Sequence, residues 1–437
     1  MGGPLRVASP IVAIVALALV VRVLVIAADT GYVPKHDAWD YDNHARSIAA
    51  GEGFPPSYTA VDGGPSALRA PGYPYLLAAV YAVSGDRIAV GRLLNAILGA
   101  LAVGLVYLIA KRIWGRRVGL LAALLTAVFP PLVLLSRDLL SESLFIAVEL
   151  GAVLCVLEFR RSRALWWAAG AGLLCGLGVL TRNPGPALAV PVLLGVWTVR
   201  PRWSWRAAAA PALVLACIVA LVLPWTVRNA VEFGRLVPVT TGTGYALAGA
   251  YNDLSLHDED HPGAWRTPAI APEYQALFGT RGIDEGTIDA TLRREATSLA
   301  VSHPTYVAEV TGWNLLRLFE VADGAVVGLY GEPVTTRGIG SATPAIERLS
   351  IAIAVVLACL GAFAIAASRR AGAGGGKRLP TGPLFLWLTP VLLLLVAAPV
   401  NGLPRYRTPA DPFILILAAI GILWLYERRP AGRLAAR

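Results

Sequence analysis

The nine residues His36-Asp37-Ala38-Trp39-Asp40-Tyr41-Asp42-Asn43-His44 crowd three carboxylates and two imidazoles into one short segment. On a helix, Asp37 and Tyr41 share a face, as do Asp40 and His44. A carboxylate just outside an apolar segment could take the proton of a hydroxyl delivered at a membrane surface. The same string also reads as a solvated acidic loop. Arg69-Ala70-Pro71-Gly72-Tyr73-Pro74 follows. There a guanidinium precedes a Pro/Gly turn, and its planar fork suits a phosphate, whether of a ligand or of ordinary lipid headgroups. Arg182, Arg228, Arg405 and Arg407 stand at the ends of apolar segments. Charges at such depth need a partner or a purpose. An anionic ligand is one candidate. Glu142 and Glu149, seven apart and so on one helix face, are the other. Glu149 falls near mid-membrane, where a carboxylate costs roughly 2.5–3.5 kcal/mol, so it should be paired or protonated, and pairing inside the bundle is the expected role.

Two further strings are weaker. His257-Asp258-Glu259-Asp260-His261 has side chains that suit a divalent metal, but adjacent residues rarely converge on one ion. A solvated turn is the competing reading. Asp40, His257, Asp258 and His261 are therefore weak metal candidates, and no cofactor is firmly implied. Thr241-Gly242-Thr243-Gly244-Tyr245 is glycine-rich but lacks the strand–helix context of a nucleotide loop.

The elements that must position these residues are apolar. The chain of 437 residues is 56% hydrophobic and only 15% charged, against about a quarter charged in a soluble domain. Crossing a ~30 Å hydrocarbon core takes roughly 20 helical residues. The pattern predicts ten crossings: Ser9–Ala28, Ile88–Ala110, Val118–Leu135, Leu139–Leu157, Leu165–Leu180, Ala187–Val199, Ala207–Trp225, Leu349–Ala367, Leu384–Val400 and Phe413–Tyr426. Tyr73–Val83 is too short to span and reads as an interfacial helix. The first apolar run is long and interrupted by Arg22, which favours a retained span over a cleaved leader. The four cysteines, Cys155, Cys175, Cys217 and Cys359, all lie in apolar segments and read as small core residues.

The net charge of +10 is distributed as a topology signal rather than as a nucleic-acid face. With ten crossings, Lys111, Arg112, Arg116, Arg117, Arg160, Arg161, Arg163, Arg200, Arg202, Arg206, Arg369, Arg370, Lys377, Arg378, Arg428, Arg429, Arg433 and Arg437 all fall on the side of Arg6. Short basic loops mark the cytoplasm. Both termini are then cytoplasmic, and the candidate chemistry lies on the opposite face. Arginine-rich, lysine-poor composition suits a bacterial source, hence a bacterial cytoplasmic membrane. The organisation expected is a membrane core over 1–227 with a first outer loop at 29–87, an outer loop region over 228–347, and a C-terminal membrane part over 348–437.

Taken in order, these motifs resemble a family. Asp37-x-x-x-Tyr41-x-x-x-Ala45 followed by Gly51-x-Gly53-Phe54, then Arg69-Ala70-Pro71-Gly72, Leu180-Thr181-Arg182, Pro224-Trp225-Thr226-Val227-Arg228-Asn229, and Arg405-Tyr406 before Pro409 resemble signatures of the multi-span glycosyltransferases with the GT-C fold. Protein O-mannosyltransferases and the bacterial aminoarabinose transferases of lipid A are among them. Two departures stand out: Ala38 replaces the usual glutamate after the first-loop aspartate, and Arg69 replaces a lysine. The resemblance implies an all-α polytopic protein and a polyprenyl-phosphate-linked sugar as donor. The acceptor hydroxyl would belong to a lipid, a glycan or a protein. It implies Asp37 as general base for an inverting transfer, with Tyr41 orienting its helix. Arg69, then Arg405 and Arg228, would meet the leaving phosphate, and Arg182 and Tyr406 would complete the substrate site. Members differ in metal use, which leaves a divalent ion open. A flippase for polyprenyl-linked sugars is the alternative; it would more naturally place paired charges and broken helices at mid-membrane.

Overall fold

The computed structural model describes residues 9–57, 64–85, 87–197, 204–324, 326–327, 343–371 and 379–428. Of the basic residues that set the expected topology, Arg6, Arg200, Arg202, Lys377, Arg378, Arg429, Arg433 and Arg437 lie outside this range.

The chain is mostly helical. In order come α1 (Pro10–Ala28), α2 (Asp37–Ala49), α3 (Gly72–Ser84), α4 (Ile88–Trp114), α5 (Arg116–Val128), α6 (Pro130–Leu134), α7 (Glu142–Ser162), α8 (Leu165–Val179), α9 (Ala189–Val196) and α10 (Trp205–Phe233). Then follow α11 (Gly242–Ala250), α12 (Asp253–Leu256), α13 (Pro272–Gly279), α14 (Glu285–Ser302), α15 (Pro304–Leu318), α16 (Thr343–Ala371), α17 (Leu384–Ala397) and α18 (Asp411–Glu427). Trp265–Arg266 and Val326–Val327 make a minimal parallel pair.

Each of the ten apolar segments contains helix. Four of those helices, α1, α4, α10 and α16, are long and apolar enough to cross a membrane, and α5 with the following Pro130–Arg137 would make a fifth, bent by 57°. α7 has the length, at 21 residues, but carries Glu142, Glu149, Glu158, Arg160 and Arg161. α8, α9, α17 and α18 are shorter, because prolines or irregular turns flank or replace their ends. α10 departs from expectation in the other direction. Pro224 does not end it, and the helix carries Arg228 and Asn229 on to Phe233.

Exposed apolar side chains along α1, α10 and α16, such as Val20, Leu24, Val219, Leu223, Ile353 and Phe363, are what a lipid-facing surface requires. Between helices, close approach relies on small residues, since lipid supplies no hydrophobic drive to associate. A Cβ on Gly361 of α16 would stand 2.0 Å from the Leu417 carbonyl oxygen, and one on Gly421 of α18 would stand 2.4 Å from that of Leu357. The α5–α6 bend is equally local. Pro130 and Pro131 have no N–H for the carbonyls of Thr126 and Ala127. The buried Arg22 of α1 donates to the Ala127 oxygen at 3.1 Å and to Ala18 at 3.0 Å, a cation set against the negative end of α5.

A second core lies in the segment between α10 and α16. Ala248, Tyr251, Tyr274, Ile288, Leu292, Ala296, Tyr306 and Val310 pack together. α11 is bound to α14 there: the Gly244 N–H donates to Asp289 Oδ1 at 2.6 Å. Burial pushes the Asp289 carboxyl up to about 6, against the opposing pull of that N–H.

This raised value has a sign. The folded chain binds a proton that the unfolded chain, at an ordinary carboxylate value, has already released between about pH 4 and pH 6. Stability therefore falls as pH rises through that window, by at most about 3 kcal/mol, and levels off above it. Asp289→Asn is expected to flatten that dependence, as read from thermal unfolding of the detergent-solubilised protein at pH 4.5 and 7.5.

Candidate functional site

The site begins at the first turn of α2. His36, immediately before it, has φ of +49°, a left-handed backbone that costs a non-glycine residue about 1–3 kcal/mol. Asp37 and Asp40 then occupy the helix N-terminal turn, where the dipole favours negative charge. Tyr41, one turn on from Asp37, sets the helix rotation. Its hydroxyl donates to Ser141 Oγ at 3.1 Å, and its ring packs edge-on to Tyr73 of α3 at 5.0 Å.

Arg69 bridges the two carboxylates of α2. Its Nη2 donates to Asp37 Oδ1 at 2.7 Å and its Nε to Asp40 Oδ2 at 2.7 Å. Asp40 also accepts from the Ser57 hydroxyl at 2.6 Å and is fully buried. Arg405, from the turn before α18, donates to the other oxygen of Asp37. Its Nε lies 3.7 Å from Glu142 Oε1 at the start of α7. Arg182, in the turn after α8, pairs with the same Glu142 oxygen at 2.5 Å. Tyr406 lies beneath both of these guanidiniums, with ring centroid distances of 5.1 Å to Arg182 and 5.4 Å to Arg405. Asp37, Tyr41, Arg69, Arg182, Arg405 and Tyr406 therefore converge, though they come from positions up to 369 apart in the numbering.

The result is a chain of alternating charge, Asp40–Arg69–Asp37–Arg405–Glu142–Arg182. Three carboxylates face three guanidiniums. Burial opposes the charged form of Asp37, but Arg69 and Arg405 outweigh it and hold the carboxyl well below the usual range. Asp37 is ionised in this arrangement and is a weak base while both arginines hold it.

Arg228 stands apart from that chain. Its Nη1 donates to the Ser66 carbonyl oxygen at 2.8 Å and to Asn229 Oδ1 at 3.1 Å. Among the described residues it has no ion pair, and its Nε and Nη2 make no hydrogen bond. Its guanidinium lies 4.9 Å from the Trp225 ring centroid and 5.8 Å from that of Phe54. Phe54 in turn touches His44 at 4.3 Å. His44 is buried with Nδ1 2.6 Å from the Asp40 carbonyl oxygen, and burial pushes its value down.

Several expectations meet a different arrangement. His257, Asp258 and His261 do not converge: His257 turns to the Asp253 carbonyl, while Asp258 binds Arg266 and accepts from the N–H groups of Asp260 and His261. Asp40 is committed to Arg69 and Ser57. Among the described residues no three His, Cys, Asp or Glu side chains gather as a metal site. The Arg405 guanidinium stands between Asp37 and Glu142. Arg407 is turned away from the site and fully buried, pairing with Asp411 at 2.8 Å and Glu320 at 3.2 Å. Glu149, expected to pair within the bundle, is fully buried with neither oxygen hydrogen bonded among the described residues.

Two contributors carried no motif. Glu285 of α14 reaches the segment that leads into Arg69, accepting from Ser66 Oγ and the Ala67 N–H. Tyr245 of α11 stands close enough to Arg69 and Asp37 to feel both charges, and burial pushes its hydroxyl up to about 12. Tyr245 lies in the glycine-rich stretch, whose spacing was the available signal; for Glu285 there was none.

Residues 68–227 match the family model described as dolichyl-phosphate-mannose-protein mannosyltransferase. No curated protein sequence matches. Among solved structures, the chain is similar to the oligosaccharyltransferase of Archaeoglobus fulgidus in its apo form, with TM-score 0.56, 14% identity, and 96% of this chain covering 51% of that one. It is also similar to the same archaeal protein, AglB, in complex with an inhibitory peptide and a dolichol-phosphate, at TM-score 0.54, 15% identity, and coverage of 96% and 50%. The archaeal protein has also been solved with Zn and sulfate. A looser likeness, TM-score 0.43 at 16% identity over 95% of this chain and 77% of the other, is to ArnT from Cupriavidus metallidurans bound to undecaprenyl phosphate. The chain spans about half the length of the archaeal protein. Its fold is that of the GT-C membrane glycosyltransferases.

Proposed function

We propose that this protein is an inverting glycosyltransferase that moves a sugar from a polyprenyl-phosphate carrier to an acceptor hydroxyl on the extracytoplasmic face of a bacterial cytoplasmic membrane. In this reading ten segments cross the bilayer, both termini are cytoplasmic, and the regions 1–227, 228–347 and 348–437 are membrane core, outer loop region and C-terminal membrane part. The observation that carries it is the convergence on Asp37 of Arg69 and Arg405, from opposite ends of the chain, beside an Arg228 whose fork keeps donors to spare. The match of residues 68–227 to a mannosyltransferase family supports the same class. So does the dolichol-phosphate in the complex of the structurally similar archaeal enzyme.

The charge chain suggests how the base is switched on. With Arg69 and Arg405 both on Asp37, the carboxylate is a poor proton acceptor. A phosphate seated against Arg228, at the outer end of α10, brings negative charge toward Arg69 and Arg405. As these arginines turn to it, Asp37 loses its countercharge and its basicity rises. Asp37 then takes the acceptor O–H proton, the acceptor oxygen attacks the anomeric carbon, and the bond from that carbon to the phosphate oxygen breaks. Polyprenyl phosphate leaves, its charge met by fixed guanidiniums. Tyr41 holds α2 in place, and Glu142 with Arg182 and Tyr406 braces Arg405.

Membranes lacking the endogenous protein, charged with labelled polyprenyl-phosphate sugars and an envelope extract, provide the test. Wild type is expected to release label from the carrier, and Asp37→Asn to lose at least about 10²-fold of that rate, the scale of general-base catalysis, while remaining folded. Equal rates for the two would remove Asp37 from the mechanism. Label that changes leaflet without leaving its carrier would make the protein a flippase instead. Arg228→Ala is expected to raise the donor KM with less effect on kcat. Glu142→Gln leaves two buried guanidiniums short of a carboxylate and is expected to cost about 3 kcal/mol of stability, read as a lowered thermal midpoint.

A further inference from the structure

Glu285 lies in the outer segment, far in sequence from any residue of the charge chain, yet it is buried at 3% exposure against the first outer loop. One oxygen accepts from the Ala67 N–H at 2.9 Å and from the Thr241 hydroxyl; the other accepts from Ser66 Oγ at 2.8 Å. Ser66 Oγ also takes the Leu68 N–H at 3.2 Å, and the Thr241 N–H donates to the Ala67 oxygen at 3.0 Å. Three consecutive residues, Ser66, Ala67 and Leu68, are thus gripped just before that arginine. Three residues after it the chain is held again: the Gly72 N–H donates to Leu180 oxygen at 2.6 Å, where a Cβ would stand 2.8 Å from that oxygen. Arg228 belongs to the same assembly, because the Ser66 carbonyl oxygen is its acceptor at 2.8 Å.

We propose that Glu285 is a positioning residue for the transfer reaction, fixing the separation of Arg69 and Arg228 so that both can meet one lipid-linked phosphate. This rests on the glycosyltransferase reading above. The carboxylate is close enough to Arg228 for that guanidinium to feel its charge. It acts through Ser66, whose hydroxyl it holds and whose carbonyl holds Arg228, and through Ala67, two residues from Arg69. Asp289, one helical turn along α14, grips the Gly244 N–H of α11 in the same way. A Cβ on Gly244 would stand 2.1 Å from the Asp289 carbonyl oxygen, so α11 is seated on α14 with no slack. The same helix thereby anchors both the segment that leads into Arg69 and α11, which carries Tyr245. The outer segment is part of the donor site and not only a surface for the acceptor.

The experiment compares wild type, Glu285→Ala, Glu285→Gln and Thr241→Val as purified full-length protein. Donor KM and kcat are measured, with Kd for polyprenyl phosphate and the thermal midpoint in parallel. Glu285→Ala is expected to raise donor KM and polyprenyl phosphate Kd by tenfold or more with kcat changed less than threefold. Glu285→Gln, which keeps an oxygen for the Ala67 N–H, is expected to recover most of the loss. Thr241→Val, which removes one donor only, should raise both constants about threefold and serves if Glu285→Ala does not fold. A lowered thermal midpoint with unchanged KM and Kd, or a loss of kcat alone, would overturn the proposal. Failure of the glycosyltransferase reading is separable: wild type would bind polyprenyl phosphate in a Glu285-dependent way yet transfer no sugar. Conversely, Asp37-dependent transfer with donor constants indifferent to Glu285 would leave the enzyme and discard the clasp.

Discussion

Everything in the site depends on Asp37 being held between two guanidiniums. A carboxylate taken partly out of water needs positive charge close by, or it takes up a proton. Arg69 and Arg405 supply it, each on a different oxygen. Because each arginine also faces a second carboxylate, Asp40 or Glu142, the arrangement propagates into a chain with no net excess of charge. Such a chain is directional and stiff. Moving any member exposes its neighbour's charge, and in a partly buried setting that costs several kcal/mol. In the proposed transferase reading, a phosphate would enter in competition with carboxylates already in place, and of the four site arginines Arg228 is the one without an ion pair among the described residues.

That competition explains why the scaffold is built as it is. α2 must not rotate, so Tyr41 is pinned to Ser141 and packed against Tyr73. The turn carrying Arg405 must not drift, so Arg407, two residues on, is buried against Asp411, Glu320 and the Leu318 carbonyl oxygen. The Asn95 side chain of α4 donates to the carbonyl oxygens of Asp138 and Leu140, fixing the irregular stretch that leads into Glu142. Asn95 and Arg407 also satisfy backbone carbonyl oxygens that helix ends leave over. The buried Arg22 does the same at the proline bend between α5 and α6.

How much of this was legible depended on the distance over which a signal acts. The identity of Asp37, Tyr41, Arg69, Arg182, Arg228, Arg405 and Tyr406 as site candidates came from odd placement: polar residues at the ends of apolar segments, in an order resembling one family. The helical register that sets Asp37 with Tyr41 and Asp40 with His44 on shared faces was equally readable, and α2 realises it. The His257–His261 string misled because composition says nothing about convergence, and its half-buried carboxylate, Asp258, was already taken by Arg266. The crossing expected over Ala207–Trp225 is too short at its far end, since α10 runs on to Phe233 and carries Arg228. Glu285 was silent: its partners Ser66 and Ala67 are more than 200 residues away and Thr241 is 44 away, and a glutamate at a helix start reads as an ordinary dipole contact.

By itself the amino-acid order determined where apolar segments lie, that they are helical, and which side chains carry usable charge. These follow from local quantities: transfer free energy summed along a run, helical periodicity, and the cost of charge in an apolar setting. Only the tertiary structure decided which charge neutralises which. Asp37 could have faced Arg69, Arg182, Arg228 or Arg405, and nothing along the chain distinguishes them. Ion pairing acts through space, and the packing of α2, α7 and α18 brings Arg69 and Arg405 to Asp37, Arg182 to Glu142, and leaves Arg228 with donors unspent.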